Sequence, residues 1–155
     1  MIKQLWMRVC TSNKHYPGLY IHVFALGHNK SYDKGEDDFS KTMNEFYMYG
    51  NNKHNILSEV SELWDKILSN DSIVWDLLTL CPTHIENDLN KNMTWLIKEL
   101  EKHTGIIYKQ ILRRNRTVEC QHELKTFEER LENVRDSIDI IEDINGQNII
   151  ILDNT

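Results

Sequence analysis

At 155 residues, 40% of them hydrophobic and 27% charged, with only two prolines and six glycines, the chain has the composition of one ordinary globular domain, which excludes a disordered or low-complexity protein. A net charge of -6 argues against binding along nucleic acid through a general cationic surface, since that affinity comes from many cations displacing counterions from phosphates. No stretch approaches the ~20 apolar residues that span a bilayer, so neither membrane insertion nor export is expected.

Residues 2–10 and 19–26 (LYIHVFAL) are rich in β-branched and aromatic side chains around a turn-like TSNKHYPG, which predicts an antiparallel strand pair. The polar stretch from Gly27 to Gly50 follows, with room for a helical turn or two around Phe39 to Phe46. Ile56, Val60, Leu63, Trp64, Ile67 and Leu68 fall on one helical face, and Asn55 can cap its start. Residues 73–81 (IVWDLLTLC) are nearly continuously apolar, as in a strand covered on both faces of a parallel sheet, and Pro82 ends the run.

Leu89, Met93, Leu96, Ile97 and Leu100 make a second helical stripe, stopped by His103, Thr104 and Gly105. IIYKQIL at 106–112 reads as the next strand, and strand, helix, strand over this length predicts a parallel crossover unit. Thr126 and Glu129 have the spacing of a capping box, opening a helix whose apolar positions Phe127, Leu131 and Val134 continue at Ile138 and Ile141. Asn145 and Gly146 make a turn, and NIIILD at 148–153 reads as a third buried strand. The expected fold is therefore α/β: a mostly parallel central sheet flanked by helices, with an N-terminal antiparallel strand pair, in a single domain whose core spans residues 51–155.

Candidate chemistry gathers at the predicted strand ends. The short loop Cys81-Pro82-Thr83-His84 can turn backbone N–H groups towards a phosphate at the start of the next helix, or form a plain strand-to-helix turn with Pro82 as breaker. Lys109, Arg113, Arg114 and Arg116 put four cations within eight residues, a local focus for phosphate or a solvated stretch paired with nearby glutamates. Thr117 to Glu123, with Gln121 and His122, is long enough for a mobile lid or an ordinary loop. Asp153 and Asn154 stand at the last strand end, where an aspartate can hold ribose hydroxyls or a Mg²⁺-bound ligand.

The seven histidines lack metal-ligand spacing, and Cys10, Cys81 and Cys120 form no C-x-x-C pair, so neither a zinc site nor a disulfide framework is indicated and a reducing cytoplasm is the expected location. No Gly-rich phosphate loop of the Walker or dinucleotide type and no Gly-x-Ser-x-Gly elbow occurs.

The stretch LRRNRTVECQHELKTFEERLENVRDS, a short spacer and GQNIIILDN, together with residues from 72 onward, resembles the type I phosphoribosyltransferases and, within them, the competence-protein (ComF-type) group. The resemblance implies a parallel sheet with 5-phosphoribosyl-1-pyrophosphate and Mg²⁺ over the strand ends. It sets Asp153 and Asn154 as the acid pair facing the ribose, with Asp153 towards the metal, Pro82, Thr83 and His84 along the pyrophosphate, and Arg113, Arg114, Arg116, Thr117 and Gln121 in the closing loop. The group's Thr-Gly phosphate loop does not follow Asn154 and the second acid is an amide, which implies a truncated enzyme or a binding-deficient relative, and residues 1–50 stand in place of the N-terminal zinc module, which implies a different substrate or partner surface. The alternative expectation is a non-catalytic protein-interaction module that keeps the fold and forms a homodimer through a bare sheet edge.

Overall fold

A computed structural model describes residues 38–70, 73–120 and 123–153. The strand pair expected at 2–10 and 19–26 lies outside the described residues, as do Asn154 and Gln121.

The described chain is α/β. It runs α1 (Asp38–Tyr49), α2 (Lys53–Asn70), β1 (Leu77–Leu80), α3 (Lys91–Thr104), β2 (Ile107–Tyr108), β3 (Leu112–Arg114), α4 (Phe127–Val134), β4 (Ile138–Ile140) and β5 (Ile149–Leu152). A three-stranded parallel sheet has the order β2-β1-β5, and β3 and β4 form a separate antiparallel pair.

Each helix follows from local chemistry. Phe39, Met43, Phe46 and Tyr47 recur on one face of α1 and pack on the core, while Asp38 complements the positive end of the helix. Gly50, at φ +74°, ends α1 in the left-handed conformation and donates its N–H to the Phe46 carbonyl. Two residues on, Asn52 also has positive φ and accepts from the Ile56 N–H, so α2 opens at Lys53 and Asn55 lies inside its first turn rather than capping it. In α3 the Asn90 side chain caps by accepting from the Asn92 and Met93 N–H groups at 2.9 and 3.1 Å, and Gly105 closes the far end.

Residues alternate across the sheet, so Tyr108, Leu78, Leu80, Ile150 and Leu152 face one way, and on that side they meet Ile56, Val60 and Trp64 of α2 and Met93, Leu96, Ile97 and Leu100 of α3. All four β1 residues are buried, as expected of a strand covered on both faces, but of the run expected over 73–81 only Leu77–Leu80 is strand, and Val74 before it is exposed. Leu77, Thr79, Ile107, Ile149 and Ile151 face the other way, where Ile107 and Ile151 are 62% and 56% exposed. The last strand is therefore a half-buried edge strand among the described residues, not the fully buried one its four apolar residues suggested.

Two further expectations are corrected. The strand expected over 106–112 leaves the sheet after Tyr108: the Gln110 side chain bonds both the N–H and the carbonyl of Leu80, and the Ile111 N–H donates to the Thr79 hydroxyl. Side chains thus replace backbone partners, which frees the chain to begin β3. The helix opening at the Thr126 capping box, which forms as its spacing predicts, stops at Val134 instead of continuing through Ile138 and Ile141. Arg116 donates to the Asn133 and Arg135 carbonyls and Ser137 to the Val134 carbonyl, Asp136 takes a positive φ, and Ile138-Asp139-Ile140 extends as β4.

Candidate functional site

The parallel register sets Leu80 beside Leu152, so the tips of β1 and β5 project together over the start of α3. There a hollow is lined by Tyr47, Leu80, Cys81, Pro82, Thr83, Asn90, Met93, Leu152 and Asp153. The Cys81 N–H donates to the Leu152 carbonyl at 3.0 Å, carrying the pairing one residue beyond β1 and fixing Cys81 against the β5 tip. The hollow encloses only about 20 Å³, room for about one water molecule, so a larger group would meet it at its open mouth and lie across the strand tips.

Its electrostatics are set by Asp153. Burial, helped by the Asp153 carboxylate, pushes the Cys81 thiol up to about 11, so it stays protonated at neutral pH and is no nucleophile. Burial also raises the Tyr47 phenol, with Asp153 and Asp88 adding to the shift and a hydrogen bond with Asn90 opposing it. Tyr47 is held over the hollow because its carbonyl accepts from both the Asn90 and Asn92 side-chain amides, at 3.2 and 3.0 Å. A hollow edged by a carboxylate, with hydroxyl and amide groups beside it, accepts hydrogen bonds from a hydroxyl-bearing ligand better than it receives a bare anion.

Pro82, Thr83 and Asp153 come together at the hollow, as their positions at strand ends predict, while His84 does not line it and is exposed. The cations are held elsewhere. Lys109 pairs with Glu142, and Arg113 pairs with Asp139 at 2.8 Å. That bond, with a second from Asn115, holds the Asp139 carboxyl below its usual range. Arg116 closes α4, and Arg114, 6% exposed, donates to the Thr83 carbonyl and the Ser137 hydroxyl behind the loop. The Thr117 hydroxyl accepts from the Glu86 N–H. Tyr47, Asp88 and Asn90 were missed by sequence reasoning. Asn90 carried a legible signal, a capping asparagine just before an apolar helical stripe, whereas only the packing of α1 on α3 brings Tyr47 to the strand tips.

No protein-family model, curated protein or solved structure matches the chain. No group of three or more His, Cys, Asp or Glu is placed to hold a metal ion among the described residues. Magnesium commonly takes one or two carboxylates and completes its shell with phosphate oxygens and water, so Asp153 fits it only as a single protein ligand to an ion that arrives with a phosphorylated compound. No helix among the described residues is long and apolar enough to cross a membrane.

Proposed function

We propose that the chain binds a phosphoribosyl compound by its sugar across the open mouth of the hollow between the β1 and β5 tips, as a binding relative of the phosphoribosyltransferase-like proteins that its sequence resembles. The observation that carries this reading is the parallel pairing that sets Asp153 beside Cys81, Pro82 and Thr83 at the start of α3. Ligands of open α/β sheets bind beyond the carboxyl ends of the strands. Here β1 leads through α3 to β2 on one side and pairs with β5 on the other. Asp153 accepts from the ribose hydroxyls, and the phosphates, with any Mg²⁺ they carry, lie outside the hollow. The reading is one of binding, since Cys81 is no nucleophile and the cations of 109–116 are engaged in holding the fold. Free thiols at Cys81 and Cys120 fit a cytoplasmic location.

Calorimetric titration of the full chain with phosphoribosyl pyrophosphate and Mg²⁺ tests it. Binding is expected for that compound and for ribose 5-phosphate, and not for pyrophosphate alone. Asp153→Ala is expected to weaken it about tenfold or more, because a hydrogen bond to a charged group contributes about 1.5–3 kcal/mol. Absence of heat with the wild type rejects the reading, and equal affinity in the variant removes Asp153 from it.

The open isoleucines favour a second reading, self-association. Ile107 and Ile151 flank β1 on the face turned away from α3, and β5 ends the sheet without a described neighbour, an edge with no charge, proline or bulge to discourage pairing. Light scattering is then expected to show a dimer that Ile151→Lys converts to monomer. A wild-type monomer at high concentration excludes it.

A further inference from the structure

The loop joining β1 to α3 is held from outside by the chain around β3. The Arg114 Nε donates to the Thr83 carbonyl at 3.0 Å, and the Arg114 carbonyl accepts from the Asn87 N–H at the same distance. The Glu86 N–H donates to the Thr117 hydroxyl at 3.0 Å, and the Val118 N–H to the His84 carbonyl at 2.9 Å. Inside the loop, the Thr83 hydroxyl donates to the Asp88 carboxylate at 2.7 Å and accepts from the Ile85 N–H. Thr83 is thus the residue where the loop's own bonds and the bond from β3 meet, and it also lines the hollow.

Arg114 is an unusual choice for such a contact. A buried cation is costly unless its donors are satisfied, and the acceptors of its Nε and Nη1, the Thr83 carbonyl and the Ser137 hydroxyl, are both uncharged. The planar guanidinium sends those donors in fixed, divergent directions, one to the loop and one to the start of β4, which the single ammonium of lysine does not do. Its charge is felt at the hollow, where it opposes the effect of Asp153 on Cys81.

We propose that Arg114 is a positioning residue: by tying the Thr83 carbonyl to Ser137 it fixes the 82–88 loop as one wall of the hollow, so that the β3–β4 pair sets the geometry in which the sugar is received. The inference rests on the ligand reading above for its functional half, and on the bonds alone for its structural half.

Hydrogen exchange measured by mass spectrometry on the full chain, with calorimetry of phosphoribosyl pyrophosphate and Mg²⁺ in parallel, tests both halves. Arg114→Lys keeps the charge and loses the fork, and Thr117→Val removes the neighbouring bond. Each is expected to speed exchange over residues 82–88 by about tenfold, the opening of one hydrogen bond's worth of stability, and Arg114→Lys to weaken ligand binding by a similar factor. Exchange over 91–104 in α3 stays unchanged, which a general loss of stability would not allow. Unaltered exchange at 82–88 in both variants, or equal acceleration in α3, overturns the clamp. A loosened loop with unaltered affinity overturns the positioning role. A wild type that binds no ligand rejects the proposed function, while the exchange rates still decide the clamp.

Discussion

Phe46→Ala is expected to lower the stability of the chain by about 3–5 kcal/mol, the usual cost of emptying a fully buried phenylalanine site. Phe46 is completely buried where α1 meets the core, and its ring lies 6.0 Å from that of Trp95, tilted by 58°. The edge-to-face component of such a pair adds to the area lost from water. Trp95 is itself fixed by Lys53, whose ammonium sits 5.1 Å from its ring centre, so it is poorly placed to move into the space left behind. For a chain of this length the loss corresponds to a melting temperature lower by on the order of 10 °C. Val74→Ala serves as the control, because Val74 is exposed and should change stability by less than about 0.5 kcal/mol. Thermal unfolding followed by circular dichroism checks both, and a shift for Phe46→Ala no larger than that for Val74→Ala would remove α1 from the core.

The elements that were legible in the sequence are those whose signal is local. The α3 stripe of Met93, Leu96, Ile97 and Leu100, with its stop at Gly105, and the capping box of Thr126 and Glu129 were readable because spacing and capping act within one or two turns. The nearly continuous apolar run of 73–81 announced a strand buried on both faces, which forms over 77–80 alone, and its parallel pairing with β2 followed from the helix between them. Where the reading failed, the deciding contact was distant. Nothing near Ile138 says that Arg113 will hold Asp139 from across an antiparallel pair and so extend a segment whose apolar spacing also suits a helix. Nothing near Gln110 says that its amide will satisfy Leu80 in place of a strand backbone. The run of isoleucines at β5 suggested burial because apolar composition does not tell whether a covering layer exists. The candidate site divides in the same way: Pro82, Thr83 and Asp153 were readable from their place at strand ends, whereas the use of Arg113, Arg114 and Arg116 within the fold depends on carbonyls and carboxylates far along the chain.

Gly50→Ala is expected to cost about 2–3 kcal/mol, more than the same change at Gly105, and the difference measures how tightly α1 is set against α3 at the hollow. Both glycines have φ near +75°, where an alanine costs roughly 1–2 kcal/mol in backbone strain alone. At Gly105 a methyl group meets nothing within 4 Å, so strain is the whole effect. At Gly50 it would lie 2.9 Å from the Asn92 Oδ1, a separation that real methyl groups do not tolerate. Asn92 is buried, and its amide donates to the Tyr47 carbonyl at 3.0 Å, so its side chain has little freedom to turn aside without giving up that bond. The displacement passes from Asn92 to Tyr47, and from Tyr47 to the wall of the hollow it lines. Chemical denaturation of the two variants separates strain from contact. Equal losses would mean that Asn92 yields freely and that the α1–α3 junction does not fix Tyr47, whereas a larger loss at Gly50 makes the close approach of these two helices a condition for the hollow's shape.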